Sequence, residues 1–255
     1  MTTAPGATPL GTTPPGTSGE QQAAQWVQRM FADIAPRYDF INHLLSFTID
    51  RGWRKALRTR LAPLLNRPDL KILDLCCGTG DVLLDLQNVA AAPVMGADFC
   101  HQMLLSTQAK AARRGRQALL FEADALRLPV RDASLDAISI AFGFRNLANY
   151  TAGLAELHRV LKPGGLLAIL EFSHPKSLAV RTGYGFYSRV LLPVIGSLIS
   201  GSREAYTYLP DSIGKFPPAP QLRDMMEAAG FTNASFDLLT GGIAALHVGA
   251  KSMGG

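Results

Sequence analysis

A chain of 255 residues, 47% hydrophobic and only 18% charged, is too apolar for an intrinsically disordered protein, and its three cysteines are too few for a disulfide scaffold. Its formal charge of +5 suits RNA, an acidic membrane surface or plain solubility, and selects none of them. Cys76, Cys77 and Cys100 have neither disulfide nor metal-ligand spacing, so no metal is expected and a reducing cytoplasm is the natural setting.

Residues 1–19 are rich in Thr, Pro and Gly and carry no charged side chain, which predicts a disordered tail. A secretory signal would need a basic start and an apolar run. A helical cap follows over 20–68. Its first helix runs from about Glu20 toward Pro36, and its second covers 51–65 with Arg54, Lys55, Arg58 and Arg60 on the polar side. Pro63 and Pro68 punctuate the change into a main domain over 69–255. There, apolar runs at 71–75, 93–97, 118–122, 135–142 and 166–172 alternate with helical stretches at 82–89, 101–113 and 150–161. This rhythm predicts an α/β fold, a doubly wound and mostly parallel sheet with helices on both faces. A helix over 221–229 and two further runs, 235–239 and 243–250, complete the pattern. Thr240-Gly241-Gly242 between those runs predicts an antiparallel C-terminal hairpin, which makes seven strands. Residues 182–220 interrupt the rhythm with an apolar insertion, RVLLPVIGSLIS among several aromatics, too short for a membrane span and broken by Pro193.

The stretch KILDLCCGTGD, 71–81, ends the first predicted strand in a glycine loop. Gly78 and Gly80 let the backbone turn sharply and approach a ligand. A dinucleotide fingerprint would want a third glycine where Leu83 stands, and a P-loop would want lysine where Asp81 stands. The loop suits a sulfonium nucleoside better than a phosphate. Asp74 can take an ammonium group. Asp98 follows the second strand at the interval expected of a ribose-binding acid. Asp124, in EADALRLP beside Ala125, follows the third and can meet an adenine amino group. Each acid alone can be a helix cap, but three in register lie at the carboxyl edge of one sheet, where open α/β folds bind ligands.

These residues resemble the core of class I S-adenosylmethionine-dependent methyltransferases, a Rossmann-like fold. Two stretches narrow the resemblance to the ubiquinone/menaquinone biosynthesis C-methyltransferases: YDFINHLLSFTIDRGWR over 38–54 and RVLKPGGLLAILEFS over 159–173, joined by FGFRN over 142–146. The resemblance spans about 26–251. Asp50 and Ala141 depart from the family pattern, where His and Ser are usual. It implies S-adenosylmethionine as methyl donor, held by Asp74, Gly78, Thr79, Gly80, Asp98, Asp124 and Ala125. It also implies transfer to a ring carbon of a prenylated quinol, with overall similarity favouring demethylmenaquinol over a benzoquinol or a phytyl naphthoquinol. Arg145 is then an electrostatic clamp for the phenolate, Asn146 its neighbour, and Tyr38 a residue closing over the donor or positioning the quinol. The insertion would line a tail groove, touch the inner face of the membrane transiently, or form a homo-oligomer interface. An RNA methyltransferase is disfavoured, because FGFRN lacks an Asn/Asp-Pro-Pro-aromatic block and no cysteine lies near it, so no nucleic acid is expected. A methyltransferase for another lipid or phenol, and a non-catalytic S-adenosylmethionine-binding scaffold, stay open.

Overall fold

The computed structural model describes residues 11–38, 49–175, 177 and 203–253. Residues 1–10 of the expected tail, most of the first signature (39–48) and residues 182–202 of the insertion lie outside the described residues. The strands are β1 (Ile72–Leu75), β2 (Val94–Asp98), β3 (Leu119–Glu122), β4 (Leu135–Ala141), β5 (Leu161–Phe172), β6 (Phe231–Leu239) and β7 (Ala244–Lys251). They form one sheet in the order β3-β2-β1-β4-β5-β7-β6. The pairings from β3 through β5 are parallel, and β7 runs antiparallel between β5 and β6. The expected mostly parallel, seven-stranded sheet with an antiparallel end is the observed one.

Helices cover both faces, which is why the central strands read as unbroken apolar runs. On one face, α2 (Ile49–Leu65) and α3 (Asp81–Gln87) pack Trp53, Leu57, Leu61, Leu65, Leu83 and Leu86 against Ile72, Val94, Ala168 and Leu170. The four α2 residues recur every four positions and make one stripe. Leu57 and Leu61 are fully buried, each contributing roughly 1.5–3 kcal/mol by leaving water. On the other face, α5 (Tyr150–Val160) and α7 (Ala219–Ala228) pack Leu154, Leu157, Leu222 and Met226 against Leu73, Leu75, Ile138 and Ile140. Ile72 and Leu73 therefore serve opposite cores, as the two-residue period of a strand requires.

Three further helices build the wall above the carboxyl edge of the sheet. They are α1 (Glu20–Ile34), α4 (His101–Arg113) and α6 (Arg203–Lys215), whose Val27, Met30, Ile34, Met103 and Tyr208 share a small core. The two helices expected to form one cap over 20–68 thus go to different places, α1 to this wall and α2 to a face of the sheet. Arg54, expected on the polar side of α2, is largely buried and ion-paired with Asp50 at 2.7 Å and with Asp81.

Helix α2 ends at Leu65 as the pattern predicts, tolerating Pro63 near its end. Two other stretches differ from the pattern-based reading. Strand β5 starts at Leu161, before Lys162-Pro163-Gly164-Gly165: Leu135 pairs with Leu161, the register shifts, and pairing continues from Ala137 with Leu166. A glycine-proline stretch that reads as a break is a bulge inside a strand. Residues 11–19, expected to be disordered, are anchored. Thr12 is buried, its N–H donates to the Leu147 carbonyl at 2.8 Å, and Lys215 Nζ donates to the Thr13 carbonyl at 3.2 Å.

Candidate active site

The carboxyl ends of β1, β2, β3 and β4, together with α1, enclose a cavity of about 700 Å³ including its open mouth. Six of the expected site residues line it: Tyr38, Gly78, Asp98, Asp124, Ala125 and Asn146. Asp74, Thr79, Gly80 and Arg145 do not line it and are placed behind or beside its wall. Its largely apolar lining suits a nucleoside and a flat ring.

The glycine loop leaves β1 through Cys76, a non-glycine residue in the left-handed region at φ 55°. A Cβ built on Gly78 would meet nothing within 4 Å, so the loop backbone is open there for close approach by a ligand. Gly80, at φ 82°, starts α3, and a Cβ there would fall 2.5 Å from Thr107 Cγ2. Asp81 explains why the loop has no P-loop lysine. Its carboxylate accepts from Lys110 Nζ at 2.8 Å and from Arg54, and these two cations hold it below the ordinary carboxylate value against the cost of burial. Lys110 Nζ also donates to Thr79 Oγ1 at 3.3 Å. The acid after the loop is a tether between α2, α4 and the loop.

Asp98 ends β2 with its carboxylate almost fully buried. Oδ2 accepts from the Gly78 N–H and Oδ1 from the Cys100 N–H, both at 2.9 Å. A carboxylate has about four acceptor sites, so these partners leave capacity to take a ribose hydroxyl. Burial lifts the group to about 6, opposed by the Cys100 and Gly78 N–H groups. Asp124 is exposed at the cavity rim, and its Oδ1 accepts from the Leu126 N–H at 2.9 Å. Asp74 lies under the loop. Its Oδ1 accepts from Ser139 Oγ at 2.7 Å, and Oδ2 is buried with no hydrogen bond of normal geometry among the described residues. Burial pushes Asp74 up to about 7, the Ser139 hydroxyl opposing it. The open backbone at Gly78 and the buried carboxylate of Asp98, both lining the cavity, fit S-adenosylmethionine.

At the end of β4, Phe142 is also left-handed, at φ 57°, and Gly143 follows. A Cβ on Gly143 would sit 2.3 Å from Cys76 Cβ, so the exits of β1 and β4 touch and only glycine fits between them. The Phe142 ring packs on Trp53 and Phe172, with centroids 5.8 and 4.9 Å away. The next turn carries Arg145 and Asn146. Arg145 is buried in an ion pair: Nη1 donates to Glu171 Oε1 at 2.9 Å, the backbone N–H donates to Glu171 Oε2 at 3.1 Å, and Nη1 also meets the Phe142 carbonyl. Burial alone would lower the guanidinium, but Glu171 outweighs it and holds Arg145 above its ordinary value. Asn146 reaches the cavity. Its Oδ1 accepts from Tyr208 Oη at 3.1 Å, and its Nδ2 points to the Phe142 carbonyl at 3.5 Å.

Sequence reading misses three parts of this wall. Cys76, which has no evident duty in the sequence, lines the cavity. Ala141, a departure from the family pattern, lines it too, and Asp50, the other departure, pairs with Arg54. Tyr208 and Thr12, bonded to each other at 2.7 Å, stand behind Asn146.

The model of the ubiE/COQ5 methyltransferase family matches residues 17–251. The chain belongs to the ubiE/COQ5 methyltransferase family. It is 46% identical over 238 residues to a demethylmenaquinone methyltransferase of Deinococcus radiodurans, covering 93% of this chain and 97% of that one. It is 49% identical over 223 residues to a demethylmenaquinone methyltransferase of Thermus thermophilus, covering 87% of this chain and all of the relative. Among solved structures it resembles a Thermotoga maritima S-adenosylmethionine-dependent methyltransferase described as a possible histamine N-methyltransferase, with TM-score 0.61, 17% identity and coverage of 88% and 99%. It also resembles the [4+2]-cyclase SpnF, with TM-score 0.68, 17% identity and coverage of 95% and 100%. Likeness at that identity shows a shared fold. The ubiE/COQ5 match adds what the fold alone does not: this member is a methyltransferase that uses S-adenosylmethionine as methyl donor.

Proposed function

We propose that the chain moves a methyl group from S-adenosylmethionine to a ring carbon of a prenylated quinol, with demethylmenaquinol as the substrate. The observation that carries this reading is a single cavity. It gathers the groups suited to the donor (Gly78, Asp98, Asp124) and those suited to the acceptor (Tyr38, Asn146) within apolar walls of Phe31, Phe142 and Leu147. The demethylmenaquinone relatives from two genera support the choice of ring.

Bound S-adenosylmethionine supplies an electron-poor methyl carbon on a positively charged sulfur. The residues of the chain have three tasks. Asp98 fixes the donor through the acceptor capacity its backbone partners leave, and the open backbone at Gly78 lets it lie close. The apolar walls hold a flat ring and exclude water, so that ring carbon and methyl align. The phenolic proton leaves to solvent at the open mouth of the cavity, Asn146 donates an N–H to the ring oxygen as negative charge gathers there and on the neighbouring carbon, and the ring proton displaced by the methyl group leaves the same way. Arg145 adds positive potential from behind the wall, reduced by its Glu171 partner. A guanidinium held above its ordinary value takes no proton, so Arg145 acts as a clamp and not as a base. Tyr38 closes the cavity from the turn that follows α1, its ring edge-on to Phe31 at 6.0 Å.

No helix among the described residues is long and apolar enough to cross a membrane. The prenyl tail is assigned to the apolar stretch within 182–220, which would meet the membrane surface peripherally. The test is methyl transfer followed by mass spectrometry, with the demethylated naphthoquinone supplied oxidised and reduced. Product is expected from the reduced form alone, with loss of about 100-fold or more in Asn146→Ala, the scale seen when a donor to a developing oxyanion is removed. Turnover of another phenol or lipid in place of the quinol would overturn the substrate, and no methyl transfer with donor bound would point to a scaffold.

A further inference from the structure

Asn146 can present either edge of its amide to the cavity, and only one suits an oxyanion. Its orientation is decided behind the wall. Thr12 Oγ1 lies 2.7 Å from Tyr208 Oη, and Tyr208 Oη lies 3.1 Å from Asn146 Oδ1, in a row of three buried residues. Tyr208 has one hydrogen, and it is given to Asn146. Thr12 must then donate to Tyr208, so the row runs in one direction, Thr12 to Tyr208 to Asn146 Oδ1. On the other side, Asn146 Nδ2 is directed at the Phe142 carbonyl at 3.5 Å, an acceptor that would repel Oδ1. With Oδ1 claimed by Tyr208 and Nδ2 carrying two hydrogens, the N–H edge faces the cavity.

The first member of the row comes from a stretch ahead of the family match, which begins at residue 17. That stretch is built to stay in place. The Thr12 N–H donates to the Leu147 carbonyl at 2.8 Å, Lys215 holds the Thr13 carbonyl, and Thr17 Oγ1 donates to the Pro14 carbonyl at 2.7 Å. Gly11 lies so close to the next carbonyl that a Cβ would fall 1.9 Å from Ala148 O, a clash with backbone that cannot give way. Leu147 and Ala148, the residues it grips, themselves line the cavity. Tyr208 is fixed independently, its ring 5.0 Å from that of Trp26.

We propose that Thr12 and Tyr208 are positioning residues that lock Asn146 with its N–H edge toward the acceptor ring, making the segment from Gly11 to Thr17 a working part of the site. This rests on the quinol reading above, because the locked edge suits an oxygen that gains negative charge.

The test compares Thr12→Val, Thr12→Ser, Tyr208→Phe and Gly11→Ala with the unmodified chain. Turnover is measured on reduced demethylated naphthoquinone, donor affinity by calorimetry, and the Asn146 side-chain amide signal by nitrogen-correlated NMR of the ligand-free protein. Losing the hydrogen bond that orients Asn146 predicts kcat about 3- to 10-fold lower in Thr12→Val and Tyr208→Phe, and Gly11→Ala, whose Cβ would displace the segment and Thr12 with it, should lower kcat as well. Donor affinity should be unchanged, Thr12→Ser should return to within about twofold of the unmodified chain, and the Asn146 amide signal should move in all but Thr12→Ser. Unchanged kcat in Thr12→Val and Tyr208→Phe, or a Thr12→Ser no better than Thr12→Val, overturns the proposal. A parallel fall in donor affinity and melting temperature reduces the row to a structural role. If the unmodified chain leaves the quinol unmethylated, the substrate reading fails, and the amide signal still decides the lock: a signal unmoved by Thr12→Val and Tyr208→Phe overturns it.

Discussion

Asp98 holds the loop through the Gly78 and Cys100 N–H groups, and in the proposed function its remaining acceptor capacity takes the donor, so one carboxylate would both shape the site and bind in it. Asp98→Asn exchanges one acceptor oxygen for a donor beside the Gly78 or Cys100 N–H. Calorimetry should show S-adenosylmethionine affinity about 10- to 100-fold lower, the range for a hydrogen bond to a charged group. The same group sets a pH dependence. With Asp98 lifted to about 6, affinity should hold constant above that pH and fall toward tenfold per unit below it, as the carboxylate protonates. Asp74 and Asp98 also act on the ligand-free fold. Both lie above the unfolded carboxylate value near 3.9, so the folded chain binds more protons than the unfolded one between about pH 4 and 7. Their contribution to stability is therefore full at low pH, falls as pH rises through that window, and levels off above it. Melting curves at pH 5 and pH 8 should show a smaller difference for Asp74→Asn than for the unmodified chain.

Among the elements, the exits of β1 and β4 form a tight junction in the site. Both strands leave through a left-handed non-glycine residue, Cys76 and Phe142, and Gly143 fits against Cys76 with no room for a methyl group. Gly143→Ala should cost about 1–3 kcal/mol, the usual range for overpacking, and weaken donor binding. Adding Cys76→Gly should restore part of both, because the clash is with Cys76 Cβ itself. The tether across α2, α3 and α4 is the second junction. Asp81→Asn takes one carboxylate from Arg54, which keeps Asp50, and from Lys110, and should lower unfolding free energy by about 1.5–3 kcal/mol, the range for hydrogen bonds to charged groups, read in a urea titration. These junctions also show what is legible in the sequence. Strand-end acids are legible because successive strands of a parallel sheet deliver their carboxyl ends to one edge, which places Asp98 and Asp124 at the cavity. The side of the wall is not, since it depends on how each strand end twists, and Asp74 and Arg145 end up behind it. Contact between Cys76 and Gly143 needs the register of two strands more than sixty residues apart, which no local pattern carries. Thr12 is hidden for a related reason. A Thr, Pro and Gly stretch has no periodicity, and its hydroxyl finds its partner 196 residues away.

For the molecule as a whole, the architecture is the most legible level, because hydrophobic periodicity and alternation are long-range sums that tolerate local error. The departures, a bulge at 162–165 and an anchored 11–19, are places where a few specific bonds override composition. Ligand linkage is a whole-molecule quantity too. S-adenosylmethionine at about a hundred times its dissociation constant should stabilise the fold by about 2.7 kcal/mol. At roughly 2–4 °C per kcal/mol for a domain of this size, that is a melting shift of about 5–10 °C. A scanning fluorescence experiment measures it, and the shift should shrink markedly in Asp98→Asn. The strand order has a consequence for synthesis. The latest strand in the chain, β7, occupies an interior place with β5 on one side and β6 on the other. As the chain leaves the ribosome, β5 keeps an open hydrogen-bonding edge until residues 244–251 have emerged and inserted. A nascent chain exposed only as far as residue 239 would carry five paired parallel strands with a bare, apolar border and a loose β6. That form should bind chaperones, and the twelve residues from 240 to 251 complete the sheet.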